Sequence, residues 1–162
     1  MNASRLNGLR AAILGANDGI ISVATALIAV LGVLGQREIT ITAGAVLFAG
    51  AISMAAGEFV SVSAQIHREN GESTLGKGAA INAALASFLA FLAGGVLPVL
   101  AAIFTGHALW VVGISLALLL VTGLISANPH QRVRSTALLT AVGIFAFGVS
   151  YAGNLLLQAL GV

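Results

Sequence analysis

The chain has 162 residues, of which 59% are hydrophobic and only 7% charged; its formal net charge is +2 and its mean hydropathy +1.06. A soluble domain carries roughly 25% charged residues, so a water-covered globule is excluded and lipid must cover this surface instead. A net charge of +2 offers no clustered basic face for nucleic acid, and the lack of cysteine excludes a disulfide framework or a thiolate metal site.

A helix needs roughly 20 mostly apolar residues to cross the hydrocarbon core, and five stretches qualify. The first is expected over about 9–34. Its basic start and apolar run share features with a secretion signal, but the run is too long and carries Asn17 and Asp18, so it reads as a retained helix. Gly35-Gln36-Arg37-Glu38 separates it from a second span over about 39–64. Residues 65–77 form the longest polar stretch and are expected to be a loop. The third span covers about 78–104, with a bend expected where Gly94-Gly95 precedes Pro98. Thr105-Gly106-His107 makes a short hairpin into the fourth span, about 108–127, where Trp110 suits an interface anchor. Asn128-Pro129-His130 ends that span, because proline disfavours helix before it. The fifth covers about 134–158. The fold class is therefore all-α: a polytopic membrane protein of five transmembrane helices in a single domain, 1–162. A β-barrel is excluded, since continuous apolar runs lack the alternation it requires.

Loop charge sets the orientation. The N-terminus, the second loop and the fourth loop hold Arg5, Arg10, Arg68, Lys77, Arg132 and Arg134, whereas the opposite side holds Arg37 alone. The positive-inside rule then puts the N-terminus in the cytoplasm and the C-terminus outside.

Two acids fall within the spans, Asp18 and Glu58. A charge at the bilayer centre costs roughly 2.5–3.5 kcal/mol on insertion scales, and no lysine or arginine lies mid-span to pair with either. Two such carboxylates point to function. Asp18 sits in Gly15-Ala16-Asn17-Asp18-Gly19, where flanking glycines suggest a locally opened helix lining a cavity. Asn17, Ser22 and Ser61 are expected along the same path. Ser22 and Thr25 are expected to bond their own helix backbone. Met54, Glu58, Ser61 and Gln65 follow i, i+4, i+7, i+11 spacing and share one helix face. A carboxylate suits hard dications, and a thioether shifts preference toward softer ones; Asp18, Met54 and Glu58 are the candidate metal ligands. His67, Glu69 and Glu72 in the second loop are weaker candidates that would collect cations at the entrance. Asn82, Ser87, Ser115, Thr122, Ser150, Tyr151 and Asn154 suit interhelix hydrogen bonds. No Ser/His pair, HExxH or cofactor fingerprint is present, so an enzyme is not expected.

The same segments carry a resemblance. Leu9-Arg10-Ala11-Ala12-Ile13-Leu14-Gly15-Ala16-Asn17-Asp18-Gly19-Ile20 resembles the first-helix signature of the vacuolar iron transporter family. Gly50-Ala51-Ile52-Ser53-Met54-Ala55-Ala56-Gly57-Glu58-Phe59-Val60-Ser61-Val62-Ser63 is similar to its second-helix signature, especially in the nodulin-like branch and its bacterial relatives. Ala83-Ala84-Leu85-Ala86-Ser87-Phe88 and Val149-Ser150-Tyr151-Ala152-Gly153-Asn154 fit more weakly. The resemblance implies a five-helix protomer in a homodimer, with a cation path between protomers lined by the first helices. It implies export of Fe²⁺, often Mn²⁺, from the cytoplasm in exchange for protons, with no permanently bound cofactor. It places Asp18 and Met54 at in-membrane cation positions and Glu58 at the acid of the nodulin-like motif. A bacterial inner or plasma membrane is the expected location. Many members insert an acidic helical metal-binding domain between the second and third helices; here that connection shrinks to residues 65–77, which removes ordered binding of several metals there from the expected mechanism.

Chemistry supports exchange independently. Desolvation favours the neutral form of a carboxyl group, and an arriving dication expels its proton. The expected function is proton-coupled export of Fe²⁺ or Mn²⁺; a passive cation channel and a non-transporting membrane scaffold are the alternatives.

Overall fold

The computed structural model describes the backbone of residues 3–70, 74–126 and 132–161, and the side chains of 6–68, 77–125 and 132–161. Among the described residues, five helices follow one another: α1 (Ala3–Val30), α2 (Gln36–Asn70), α3 (Thr74–Thr105), α4 (Ala108–Ser126) and α5 (Arg132–Ala159). All five are long and apolar enough to cross a membrane. The all-α fold class read from hydropathy is the one observed.

The ends differ from those read by hydropathy, and for a physical reason. At 1.5 Å per residue the 35 residues of α2 reach about 52 Å, well beyond a hydrocarbon core of about 30 Å. Residues 65–70, expected in a loop, continue α2, and residues 74–77 already belong to α3. Hydropathy marks where lipid stops, whereas backbone hydrogen bonding carries the helix on into water. The first helix ends earlier than expected, at Val30, where Gly32 adopts a left-handed φ of 86°. Leu34 N–H then donates to the Val30 carbonyl. Such a glycine stop satisfies terminal carbonyls that the helix itself leaves open.

α1 is the central strut. It packs against α2, α3, α4 and α5, most extensively against α3. Small residues allow that approach. A Cβ on Gly15 would strike the Ser87 carbonyl oxygen, one on Gly19 the Phe91 carbonyl oxygen, and one on Gly94 the Ala16 carbonyl oxygen. The two backbones therefore meet directly, the close packing that membrane helices use where lipid gives no hydrophobic drive. Gly15 and Gly19 do not open the helix as expected; α1 runs unbroken through them, and their missing side chains admit α3. α3 likewise runs unbroken through Pro98.

The buried core lies along α1: Ile20, Val23, Ala24, Leu27 and Ile28 pack with Leu47, Phe91, Val111, Leu119 and Phe147. Polar bonds from α5 tie down its far end. The Ser150 hydroxyl donates to the Thr25 carbonyl. Asn154 Nδ2 donates to the Ala29 carbonyl at 3.0 Å and to the Leu31 carbonyl at 2.6 Å. Gln158 Nε2 in turn donates to Asn154 Oδ1 at 2.7 Å. Ser150 and Asn154 thus make the interhelix bonds expected of them, while Thr122 bonds the Leu119 carbonyl of its own helix.

Candidate functional site

α1 and α2 run antiparallel, and between them lies a cavity of about 280 Å³. Asp18 and Ser22 line it from α1. Val46, Gly50, Ser53, Met54, Gly57 and Glu58 line it from α2, and Phe91 lines it from α3. Gly50 is required there, since a Cβ on it would collide with the Phe91 ring. The three ligand candidates from different parts of the chain therefore share one cavity.

Asp18 is partly buried, and its Oδ1 accepts a hydrogen bond of 2.6 Å from the Ser22 hydroxyl. Ser22 was expected to bond its own backbone; it orients the acid instead. The i, i+4 spacing puts both on one helical face. Asn17 Oδ1 is buried with no hydrogen-bond partner among the described residues, and Asn17 does not line the cavity.

Glu58 is the most buried of the acids whose side chains are described, its side chain 8% exposed. Its Oε2 lies 3.6 Å from a terminal nitrogen of Arg10, whose side chain is 52% exposed. An arginine therefore does reach an acid of the spans. The expectation of two unpaired carboxylates fails for Glu58, because Arg10 sits near the start of α1 and antiparallel packing brings that start beside Glu58. The contact is loose: a charge-assisted hydrogen bond is about 2.7–2.9 Å long, and Glu58 Oε2 has no hydrogen-bond partner among the described residues.

Met54 is half-buried and lines the cavity one helical turn before Glu58. Ser61 and Gln65 share its helix face but not its cavity: they line a separate recess of about 460 Å³ with Ala64 and Arg68. His67 is exposed near the end of α2. The side chain of Glu69 and the whole of Glu72 lie outside the described residues. Among the described residues, one chain gathers no group of three His, Cys, Asp or Glu that could hold a metal ion. It offers two carboxylates, a thioether and two hydroxyls around one space.

Residues 9–77 and 67–153 match the family model of the VIT family. The chain is 37% identical over 177 residues to vacuolar iron transporter homolog 5 of Oryza sativa subsp. japonica, covering 99% of this chain and 85% of that protein. It is 36% identical over 175 residues to vacuolar iron transporter homolog 2 of Arabidopsis thaliana, covering 99% and 89%. Identity reaches 44% over 113 residues of vacuolar iron transporter homolog 1 of Oryza sativa subsp. japonica, with 60% of this chain and 49% of that protein covered. No solved structure matches.

Proposed function

The chain belongs to the VIT family, and on that premise we propose that it moves divalent metal ions across a membrane, exporting Fe²⁺ or Mn²⁺ from the cytoplasm in exchange for protons. The observation that carries this reading is the convergence of Asp18, Met54 and Glu58 on one cavity inside the spanning segments. Carboxylate oxygens and a thioether together suit a borderline dication better than Mg²⁺ or Ca²⁺, which take oxygen alone. The names of the relatives, vacuolar iron transporter homologs, support iron as the cargo.

Exchange follows from the donors. A carboxylate must be deprotonated to bind a metal, so loading a dication releases protons and protonation releases the dication. Two acids on facing helices let the cavity trade charge for charge without leaving bare charge in lipid. One chain supplies too few donors to enclose a cation fully. A homodimer across the two-fold contact of the α1–α2 face would bring two Asp18, two Met54 and two Glu58 to one axis. Exposed Ser53, Ala56 and Gly57 beside the cavity are small enough for close approach. The basic loops orient the N-terminus to the cytoplasm and the C-terminus outward, in a bacterial inner or plasma membrane.

The test is Fe²⁺ and Mn²⁺ uptake into proteoliposomes with and without an imposed pH gradient. Wild-type protein should accumulate metal only when the gradient is present. Asp18→Asn and Glu58→Gln should each abolish gradient-driven accumulation while the protein still folds. Wild-type rates in both variants together would remove the chemistry of the reading. Uptake indifferent to the gradient would make the protein a passive channel.

A further inference from the structure

Arg10 is the unexpected member of the site. It stands eight residues before Asp18 on α1, about 12 Å nearer the N-terminal end, and its guanidinium faces the deepest-buried acid of the cavity. Three observations define the contact. Charge is compensated, since the two groups are 3.6 Å apart. Geometry is not satisfied, since Glu58 Oε2 receives no hydrogen bond among the described residues. The partners are unequal, since Glu58 is held in the cavity wall while half of Arg10 is open to the surroundings. A strong structural ion pair would be hydrogen-bonded and enclosed on both sides. This one leaves the carboxylate an unused acceptor and the cation a way out along its long, flexible stem.

We infer that Arg10 is a tethered cation that competes with the transported metal ion for Glu58. The inference rests on the proposed role of Glu58 as a cargo ligand. Arginine stays protonated under all working conditions, so the competitor itself carries no exchangeable proton and leaves the proton exchange to the two acids. An incoming dication takes the unused oxygen, and the guanidinium swings out on the side where half of its side chain is already exposed. The consequence is a threshold: Arg10 lowers the apparent affinity of the cavity for cations. A dication overcomes that competition. A monovalent cation brings no more charge than Arg10 itself and gains little by replacing it, so Arg10 also biases the cavity against monovalent ions.

The experiment is Mn²⁺ binding to the purified full-length protein, read as loss of the free Mn²⁺ electron paramagnetic resonance signal, in a double-mutant cycle. Arg10→Gln should tighten Mn²⁺ binding by about fivefold, the upper range for a partly exposed ion pair. Arg10→Lys, which keeps the charge, should stay close to wild type. The decisive arm is Arg10→Gln in a Glu58→Gln background. There the tightening should vanish, because the competitor has lost its target. If it persists undiminished, Arg10 acts only through long-range repulsion and the competition is overturned. Unchanged or weaker binding in Arg10→Gln, with thermal stability retained, also overturns it while leaving the cargo site intact. A wild-type protein that binds no Mn²⁺, with Asp18→Asn and Glu58→Gln equally silent, overturns the cargo site and the competition together.

Discussion

Gly19 offers the most direct test of how the site is held, because it is both neighbour to Asp18 and a contact point between α1 and α3. In Gly19→Ala the new Cβ would stand 2.9 Å from the Phe91 carbonyl carbon and 3.0 Å from its Cα, with the carbonyl oxygen closer still. Carbon pairs sit comfortably at 3.5–4.0 Å, so the helices must part by at least about 0.6 Å. The opposing atoms are backbone and cannot swing aside as a flexible side chain would. Overpacking costs about 1–3 kcal/mol, and the rigid partner argues for the upper end. Alanine returns up to about 1 kcal/mol of helix propensity, so the net loss should be about 2 kcal/mol. At about 2–4 °C per kcal/mol for a chain of this size, the apparent Tm should fall by roughly 4–8 °C. Gly113→Ala is the control: nothing lies within 4 Å of its Cβ position, so only propensity acts and stability should hold or rise by up to about 1 kcal/mol. Thermal unfolding of both variants in one detergent, followed by size-exclusion recovery, gives the comparison. Metal uptake should fall in Gly19→Ala as well, because Asp18 moves with the parted helix. A Gly19→Ala protein as stable and active as Gly113→Ala would refute the direct α1–α3 backbone contact.

Two further substitutions address other parts of the frame. Asn154→Ala removes the donor shared by the Ala29 and Leu31 carbonyls at the end of α1. A buried acceptor left without its donor costs about 1–3 kcal/mol, so with two carbonyls affected thermal unfolding should show a loss of about 2–6 kcal/mol; an unchanged Tm would mean that these carbonyls find other partners. Met54→Leu conserves volume and should cost under about 1.5 kcal/mol of stability. It should nonetheless slow Fe²⁺ uptake more than Mn²⁺ uptake, since the thioether favours the softer ion; equal rates for both metals would reduce Met54 to packing.

Much of this was readable from residue order. Five apolar stretches of spanning length could only be five helices, because lipid permits no other open structure for such runs. Asp18 and Glu58 stood out because charge in lipid is costly, and Met54 because it lies one helical turn from Glu58. The remainder depended on what stands across an interface. Two glycines four apart are equally compatible with an opened helix and with a close neighbour. Only the position of Ser87 and Phe91 decides for Gly15 and Gly19. Arg10 looked like a loop charge that sets orientation; its second role needs the antiparallel register that puts the start of α1 beside residue 58. Ser22 could bond its own backbone or the acid one turn before it, and rotamer choice settles that only in the folded cavity.

The two walls of the cavity differ in how they are anchored, and that difference bears on mechanism. Asp18 rides on α1, which packs against α2, α3, α4 and α5 and has its far end bonded by Ser150 and Asn154. Met54 and Glu58 ride on α2, which among the described residues packs against α1 and α3 alone and leaves Phe48, Ile52 and Val60 exposed. Moving α1 would break contacts on four sides and expose the carbonyls that Asn154 covers. Moving α2 breaks contacts on two. The exchange proposed above would need the distance between the carboxylates, or their opening to one side, to change. The cheaper coordinate is a shift of α2 against a fixed α1, and along it the 3.6 Å contact between Arg10 and Glu58 is a polar link between the two walls that must stretch or re-form. The looseness of that contact suits such a joint: a fully hydrogen-bonded pair would lock the two helices, whereas a purely ionic one weakens gradually with distance.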